Sequence, residues 1–379
     1  MSDTRLGIIA VRAATMLLVL CVLPAFSQAD EPVIDRKPLS ELVKQLRSEN
    51  RGLQVRAARA LSEAPTNLHA VIMPQVIPVL KSERENDKFV AAQVLGEYGA
   101  IARSAVPDLL PMLQGTQFER NRAAAAKALG QILKDAKPDK EIDEVTAALI
   151  VAFKDQYPDV RREAATACGM IGPAAQACIS SLTPLIKEQP SGAKPNMVSE
   201  AATWTCERMG PLASEHVDLL ITQLPIEAGN MLVRSPAYVR ALGAIGPVQD
   251  NIVPNILNNM EQYTADNMVE TWQALQKFGP KAEQAIPFTK RFLKIPRLCK
   301  VGDPRTPLQQ SVIIEAMKFL RVAGPKAVEA LPEVEMLAKR KEEYADASAI
   351  NKEAAKTAEF LKGLAAGNAA KAASAESKK

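Results

Sequence analysis

Along most of the chain, apolar residues recur at i, i+3, i+4 and i+7, the stripe of an amphipathic helix. Ala91, Ala92, Leu95 and Tyr98 lie on one such stripe, and Ala164, Ala165, Cys168 and Ile171 on another. Written from its central pair, the same helical phrase appears as Ala60-Leu61, Val94-Leu95, Ala128-Leu129, Ala167-Cys168, Thr205-Cys206, Ala241-Leu242, Ala274-Leu275 and Phe319-Leu320. The second members are 34, 34, 39, 38, 36, 33 and 45 residues apart. Helical periods of this size predict an all-α protein, an α-solenoid in which each unit buries its stripe against its neighbours.

Punctuation follows at fixed offsets. Gly comes directly after the anchor at positions 96, 130, 169 and 243. Inside a helix Gly costs about 1 kcal/mol relative to Ala, so its recurrence predicts a backbone contact with the neighbouring repeat. Gly172-Pro173, Gly210-Pro211, Gly246-Pro247, Gly279-Pro280 and Gly324-Pro325 each stop the first helix of a unit. A second proline (Pro107, Pro254, Pro287, Pro332) stands eight residues after a Gly and marks the start of the second helix. Each unit therefore reads as helix, Gly-Pro turn, helix.

The stretch Pro158-Asp-Val-Arg-Arg-Glu-Ala-Ala-Thr-Ala-Cys-Gly-Met-Ile-Gly-Pro173 resembles HEAT repeats, particularly the short bacterial variety grouped with phycobilisome-lyase-like repeats. The resemblance runs from near Leu39 to near Leu364. Leu61 departs from it by lacking the following Gly, Cys168 and Cys206 replace Leu, and the last spacing is long. It implies a HEAT-like superhelix of about eight repeats, with first helices in an outer, convex layer and second helices lining the concave one. A segment from Pro38 to Arg47 and another around Ile350 to Leu364 are expected as end caps. The motif specifies a fold and says almost nothing about function.

Composition then bounds the class. The chain is 47% hydrophobic and only 4% aromatic, with a formal charge of +4. That excludes a disordered polymer and a disulfide-dense mini-protein. Near-neutral charge argues against wholesale nucleic-acid binding. Arg5 and Arg12 precede an apolar run from Ala13 to Phe26, followed by Ser27-Gln28-Ala29. This describes a secretory signal peptide over residues 1–29, cut after Ala29, and a secreted or periplasmic mature protein. The other reading, a retained membrane anchor, needs about 20 apolar residues. Residues 30–37 read as a linker, 38–366 as the solenoid and 367–379 as a low-complexity tail, disordered or frayed. No later stretch is long and apolar enough to span a bilayer.

Catalytic chemistry has few candidates. His69 and His216 belong to different repeats, match no metal pattern and read as ordinary surface or helix-end residues. Deoxyhypusine-hydroxylase-like HEAT enzymes carry paired His-Glu iron ligands, which are missing here, and bilin lyases act on phycobiliproteins, which an exported chain would not meet. No catalytic, metal-binding or cofactor residues are expected. Four cysteines follow the leader, Cys168, Cys178, Cys206 and Cys299. The first and third occupy the anchor and read as small core residues, with Cys168–Cys178 the candidate disulfide if any forms. Cys168–Cys206 would have to cross the roughly 8–10 Å between stacked helices, beyond the ~7 Å reach of a bridge.

Two features point to a partner. Trp204 lies two residues before its anchor, where the other copies carry polar or charged residues, so the register predicts an indole exposed on the outer layer; a local shift that covers the ring is the alternative. Trp272, one position earlier in the register, reads as core. Lys290, Arg291, Lys294, Arg297, Lys300 and Arg305 form a basic cluster opposed only by Asp303, either a solvated surface or a contact for an acidic polymer, an anionic surface or an acidic protein. The expectation is a non-enzymatic protein-binding scaffold of the bacterial cell envelope or periplasm. The alternative is a HEAT-like enzyme or cofactor-handling protein of the lyase or hydroxylase type.

Overall fold

The computed structural model describes residues 31–114, 117–188, 196–224, 237–260, 265–294, 306–339 and 347–376. It opens with a hairpin, β1 (Val33–Ile34) antiparallel to β2 (Lys37–Pro38), in a stretch expected as a linker. Asp35 and Arg36 both turn with positive φ, 49° and 62°, the geometry of a two-residue type I′ turn. Ile34 is buried, and Leu39 donates its N–H to the Pro32 carbonyl, so the segment is packed against the cap helix α1 (Leu39–Leu46).

Eight helix pairs follow among the described residues. They are α2 (Arg51–Ser62) with α3 (Thr66–Val76), α4 (Glu85–Glu97) with α5 (Val106–Leu109), and α6 (Glu119–Ile132) with α7 (Lys140–Ala152). Next come α8 (Pro158–Ile171) with α9 (Thr183–Ile186), α10 (Met197–Met209) with α11 (Val217–Thr222), and α12 (Ala237–Ile245) with α13 (Ile252–Met260). The last are α14 (Ala265–Phe278) with α15 (Ile286–Lys294) and α16 (Thr306–Leu320) with α17 (Leu331–Ala338). Each even-numbered helix packs on the next even-numbered one from α2 to α16, and α16 packs on α18 (Ala347–Glu376), so the first helices form one continuous layer. The second helices form the other layer, and the core lies between.

The anchors behave as their register requires. Leu61, Leu95, Leu129, Cys168, Cys206, Leu242, Leu275 and Leu320 are all fully buried. Each leucine among them contributes about 1.5–3 kcal/mol by leaving water. Trp272 is core as expected, surrounded by Phe288, Phe292 and Phe319 at ring separations of 6.2, 5.9 and 5.6 Å. The turn glycines take left-handed φ, for example 76° at Gly172 and 93° at Gly324. In the third repeat, which lacks the Gly-Pro, Asp135 takes the left-handed conformation instead (φ 52°) and donates its N–H to the Met170 carbonyl of the next repeat. The second helices are shorter than the sequence suggests. A 3-10 segment leads from the turn into α5, α11, α15 and α17, and where a second proline is present it stands in the first α-helical turn.

At the opposite rim, a hydrogen-bonded ladder joins consecutive repeats. Gln54 donates to the Leu46 carbonyl and to Asp87 Oδ1 at 3.0 and 2.9 Å. Buried Arg122 grips Asp155 with two bonds of 2.6 and 2.9 Å. Arg161 holds the Asp155 and Gln156 carbonyls and both oxygens of Glu188. Ser199 donates to the Ile186 carbonyl and shares a 2.8 Å bond with the Tyr238 hydroxyl. These side chains satisfy loop carbonyls that packing would otherwise strand.

The C-terminal expectation needs correction. α18 continues as a helix to Glu376 through the tail expected to be disordered, because Ala and Lys are strong helix formers. Its buried face ends at Leu361. Among the described residues no helix is long and apolar enough to cross a membrane.

Candidate docking groove

First-layer helices meet in two ways, set by the residue after the anchor. At three of the four glycines the next helix comes into backbone contact. A β-carbon on Gly130 would lie 2.6 Å from Ala167 Cα, one on Gly243 would lie 2.9 Å from Ala274 Cα, and one on Gly96 would lie 3.1 Å from Ala128 Cα. The close approach expected from the glycine recurrence is therefore present. Where the residue is long and polar, it spans to the next helix. Glu207 accepts from Arg240 at 3.1 Å, Gln276 donates to Glu315 at 2.7 Å, and Arg321 pairs with Glu353.

Ser62 does neither. It is too large for backbone contact and too short to bridge, and its side chain makes no hydrogen bond among the described residues. A groove of about 300 Å³ remains between α2 and α4. Its floor is Val55, Ala58, Phe89 and Val90. Val55 is 54% exposed although it sits in a helix-helix seam. Arg51 stands at one end with Arg120, which reaches over from α6, and Arg59 lies near the other with Gln93 and Glu97. The Arg120 guanidinium sits 4.2 Å from the centre of the Phe89 ring, a cation–π contact that holds it at the mouth. Asn50 caps α2 by accepting from the N–H groups of Gly52 and Leu53, which fixes where Arg51 emerges.

Trp204 is half-buried. A β-carbon on Gly169 would be 2.5 Å from its Cζ3, so the indole lies across the preceding repeat's glycine and closes the α8/α10 seam. The expectation of an exposed indole is thereby corrected, since the ring fills the space that glycine leaves. Within the basic cluster, Lys290 is half-buried 3.9 Å from Glu329, Arg291 stacks 5.2 Å over Phe288, and Lys294 is exposed at the end of α15. Glu329, from the next repeat, is a counter-charge that the sequence did not reveal. Arg297, Lys300 and Arg305 lie outside the described residues, as do Cys299 and the leader-like segment 1–29.

Cys168, Cys178 and Cys206 are buried free thiols. Burial pushes the Cys168 thiol well up, and its hydrogen bond with Cys178 adds to this, so those two side chains are in contact. Burial likewise raises Cys206, with Cys178 contributing. Both histidines are buried, not at the surface. His69 donates from Nε2 to the Ala64 carbonyl at 2.9 Å and stacks on Tyr98 at 4.0 Å, and His216 donates from Nε2 to the Ile179 carbonyl at 2.8 Å. A lone imidazole on a helix's apolar stripe can be buried cheaply when a carbonyl accepts its N–H. Among the described residues no three His, Cys, Asp or Glu side chains are grouped to hold a metal ion. The arginines of the groove escaped the sequence reading, although the missing Gly after Leu61 was a visible signal.

Residues 106–194 match the family model described as HEAT repeats. No curated protein matches the chain. Among solved structures, importin beta superposes with a TM-score of 0.62 at 14% identity, covering 85% of this chain and 49% of that one. The karyopherin Kap121p bound to the SUMO protease Ulp1p gives 0.58 at 15%, covering 85% and 38%. The chain thus spans half or less of these proteins, and at such identity the likeness concerns the fold alone. The complex of CpcE and CpcF of phycocyanin lyase from Nostoc gives 0.40 at 20%, covering 69% and 96%, too loose a superposition to carry an argument. Two stacked helical layers, the matched segment and these neighbours make the chain an α-solenoid of HEAT-like repeats.

Proposed function

We propose that the chain is a non-enzymatic scaffold of the bacterial cell envelope or periplasm, which holds a protein partner on the surface of its stacked helices. The observation that carries this reading is the open, arginine-rimmed groove between α2 and α4 in the first-helix layer. Polar groups that could do chemistry are engaged in packing: both imidazoles donate to carbonyls, Arg122 and Arg161 hold carboxylates in the loops between repeats, and Arg321 holds one on α18. The karyopherin structure named above holds a SUMO protease, an example of this fold carrying a protein. Export rests on the leader-like segment 1–29.

The test begins with the full chain, tagged after α18 and expressed in its native host. Fractionation and N-terminal mass spectrometry are expected to find it in the envelope fraction starting at Asp30. Chemical crosslinking before lysis is expected to yield a discrete protein adduct. A cytosolic chain with an intact N-terminus would refute export. Absence of any protein adduct, or turnover or a metal that survives purification, would refute the scaffold.

A further inference from the structure

Arginines that face the neighbouring repeat are paired as a rule in this molecule. Arg103 meets Asp139 and Glu141, Arg122 meets Asp155, Arg161 meets Glu188, and Arg240 meets Glu207 and Glu270. Arg51 and Arg120 depart from it, since neither has a carboxylate partner among the described residues. Four carboxylates around the groove are engaged elsewhere. Glu85 is taken by Lys88 and Asn121, Asp87 by Gln54, Ser82 and Arg84, Glu97 by Gln131, and Glu63 by Arg59. Two guanidinium groups therefore flank one end of an open apolar floor without an ion pair to a carboxylate among the described residues.

The dimensions limit what could. The α2 face from Arg51 to Ser62 runs about 16 Å along the helix, the length of roughly five residues of extended peptide. A volume of about 300 Å³ takes two or three side chains. Arg120, stacked on Phe89, keeps its outer edge free for a bidentate bond to a carboxylate. A nucleic-acid backbone would satisfy the arginines but leave Val55, Ala58 and Phe89 uncovered.

Resting on the scaffold reading above, we propose that the groove between α2 and α4 docks a short acidic segment of a partner protein. Its carboxylates meet Arg51 and Arg120, and an apolar side chain lies on Val55, Ala58 and Phe89. The probe is a fluorescein-labelled peptide of about eight residues that alternates Asp or Glu with Leu and Phe. Its counterpart with Lys in place of the acids and a labelled oligo-dT are the comparisons, all titrated against the purified full chain by fluorescence anisotropy.

The acidic peptide is expected to bind, and to lose about tenfold or more in affinity in Arg51→Glu/Arg120→Glu. Ala58→Trp, which fills the floor without changing charge, should weaken it comparably. Arg56→Glu carries the same kind of charge change on α2 outside the groove and should stay within about twofold of the parent. Circular dichroism melts verify that each variant is folded. Equal binding of the acidic and basic peptides, equal losses in Arg56→Glu and the double variant, or tighter binding of oligo-dT would each overturn the proposal. The crosslinked adduct separates this failure from that of the scaffold. An adduct formed equally by the parent and Arg51→Glu/Arg120→Glu removes the groove and leaves the scaffold, whereas no adduct from either removes the scaffold.

Discussion

Replacing Gly130 by Ala should destabilise the protein, against the usual sign for such a change inside a helix. The new β-carbon would lie 2.6 Å from Ala167 Cα and 2.8 Å from Ala167 Cβ. Apolar carbons rest about 3.5–4.0 Å apart, so α6 and α8 must separate by about 1 Å or bend. Overpacking of this kind costs about 1–3 kcal/mol, and the better helix propensity of Ala offsets about 1 kcal/mol. A net loss of up to about 2 kcal/mol is expected. Gly363 in α18 provides the control, because nothing lies within 4 Å of a β-carbon added there. Ala there should stabilise α18 by about 0.5–1 kcal/mol. Urea melts followed by circular dichroism give the sign. Hydrogen exchange on peptides from α6 and α8 locates the effect, since a repeat array need not unfold in one step. A Gly130→Ala protein as stable as its parent, with unchanged exchange in α6 and α8, would refute backbone contact as the reason for the recurrent glycine.

Other substitutions probe separate parts of the fold. Asp155→Asn should cost about 3–5 kcal/mol at neutral pH, measured by urea unfolding, because it strands buried Arg122. Burial alone would raise the Asp155 pKa, but the Arg122 hydrogen bond and charge more than reverse this and lower it. Its stabilisation is therefore complete above the unfolded Asp value of about 3.9 and is lost as pH falls through the lower folded value, so the acid limb of the stability curve should flatten in Asp155→Asn. In a Cys299→Ala background, a thiol reagent at mildly alkaline pH should label Cys168, Cys178 and Cys206 only as fast as the protein unfolds; a rapid native phase would contradict their burial. Ending the chain after Leu364 should leave the melt unchanged, whereas Leu361→Ala should cost about 2–5 kcal/mol.

Much of the fold was legible because repeat packing is local. Eight anchors, the Gly-Pro turns and the prolines at second-helix starts all follow from helical periodicity and backbone restrictions, and α1 begins and ends within a residue of its expected bounds. The hairpin at Val33–Pro38 was not legible, since two residues per strand show no alternation. In the tail, low-complexity composition hides the helix propensity of Ala and Lys, which carries α18 to Glu376. His69 could have been placed by its spacing from Ile72 and Val76, which share its buried face on α3. The groove was half legible: Ser62 in a glycine position was visible, but the convergence of Arg51, Arg59 and Arg120 depends on which faces of three helices meet. Glu329 approached Lys290 for the same reason, from another repeat.

The contrast between glycine seams and side-chain seams also grades the stiffness of the array. Where backbones touch, the joint resists bending through steep short-range repulsion, to which dissolved ions contribute almost nothing. Where Glu207, Gln276 and Arg321 reach across, the joint is held by polar bonds, and salt screens the charged pairs among them. At Ser62 neither clamp exists, and α2 meets α4 through the bonds of Gln54 to Asp87 and of Tyr98 to the Leu61 carbonyl. Backbone contact stiffens the joints from α4 to α8 and that of α12 with α14, while compliance gathers at the joints held by polar bonds. Ionic strength then becomes a control on compliance that softens one end of the molecule and leaves its middle unchanged.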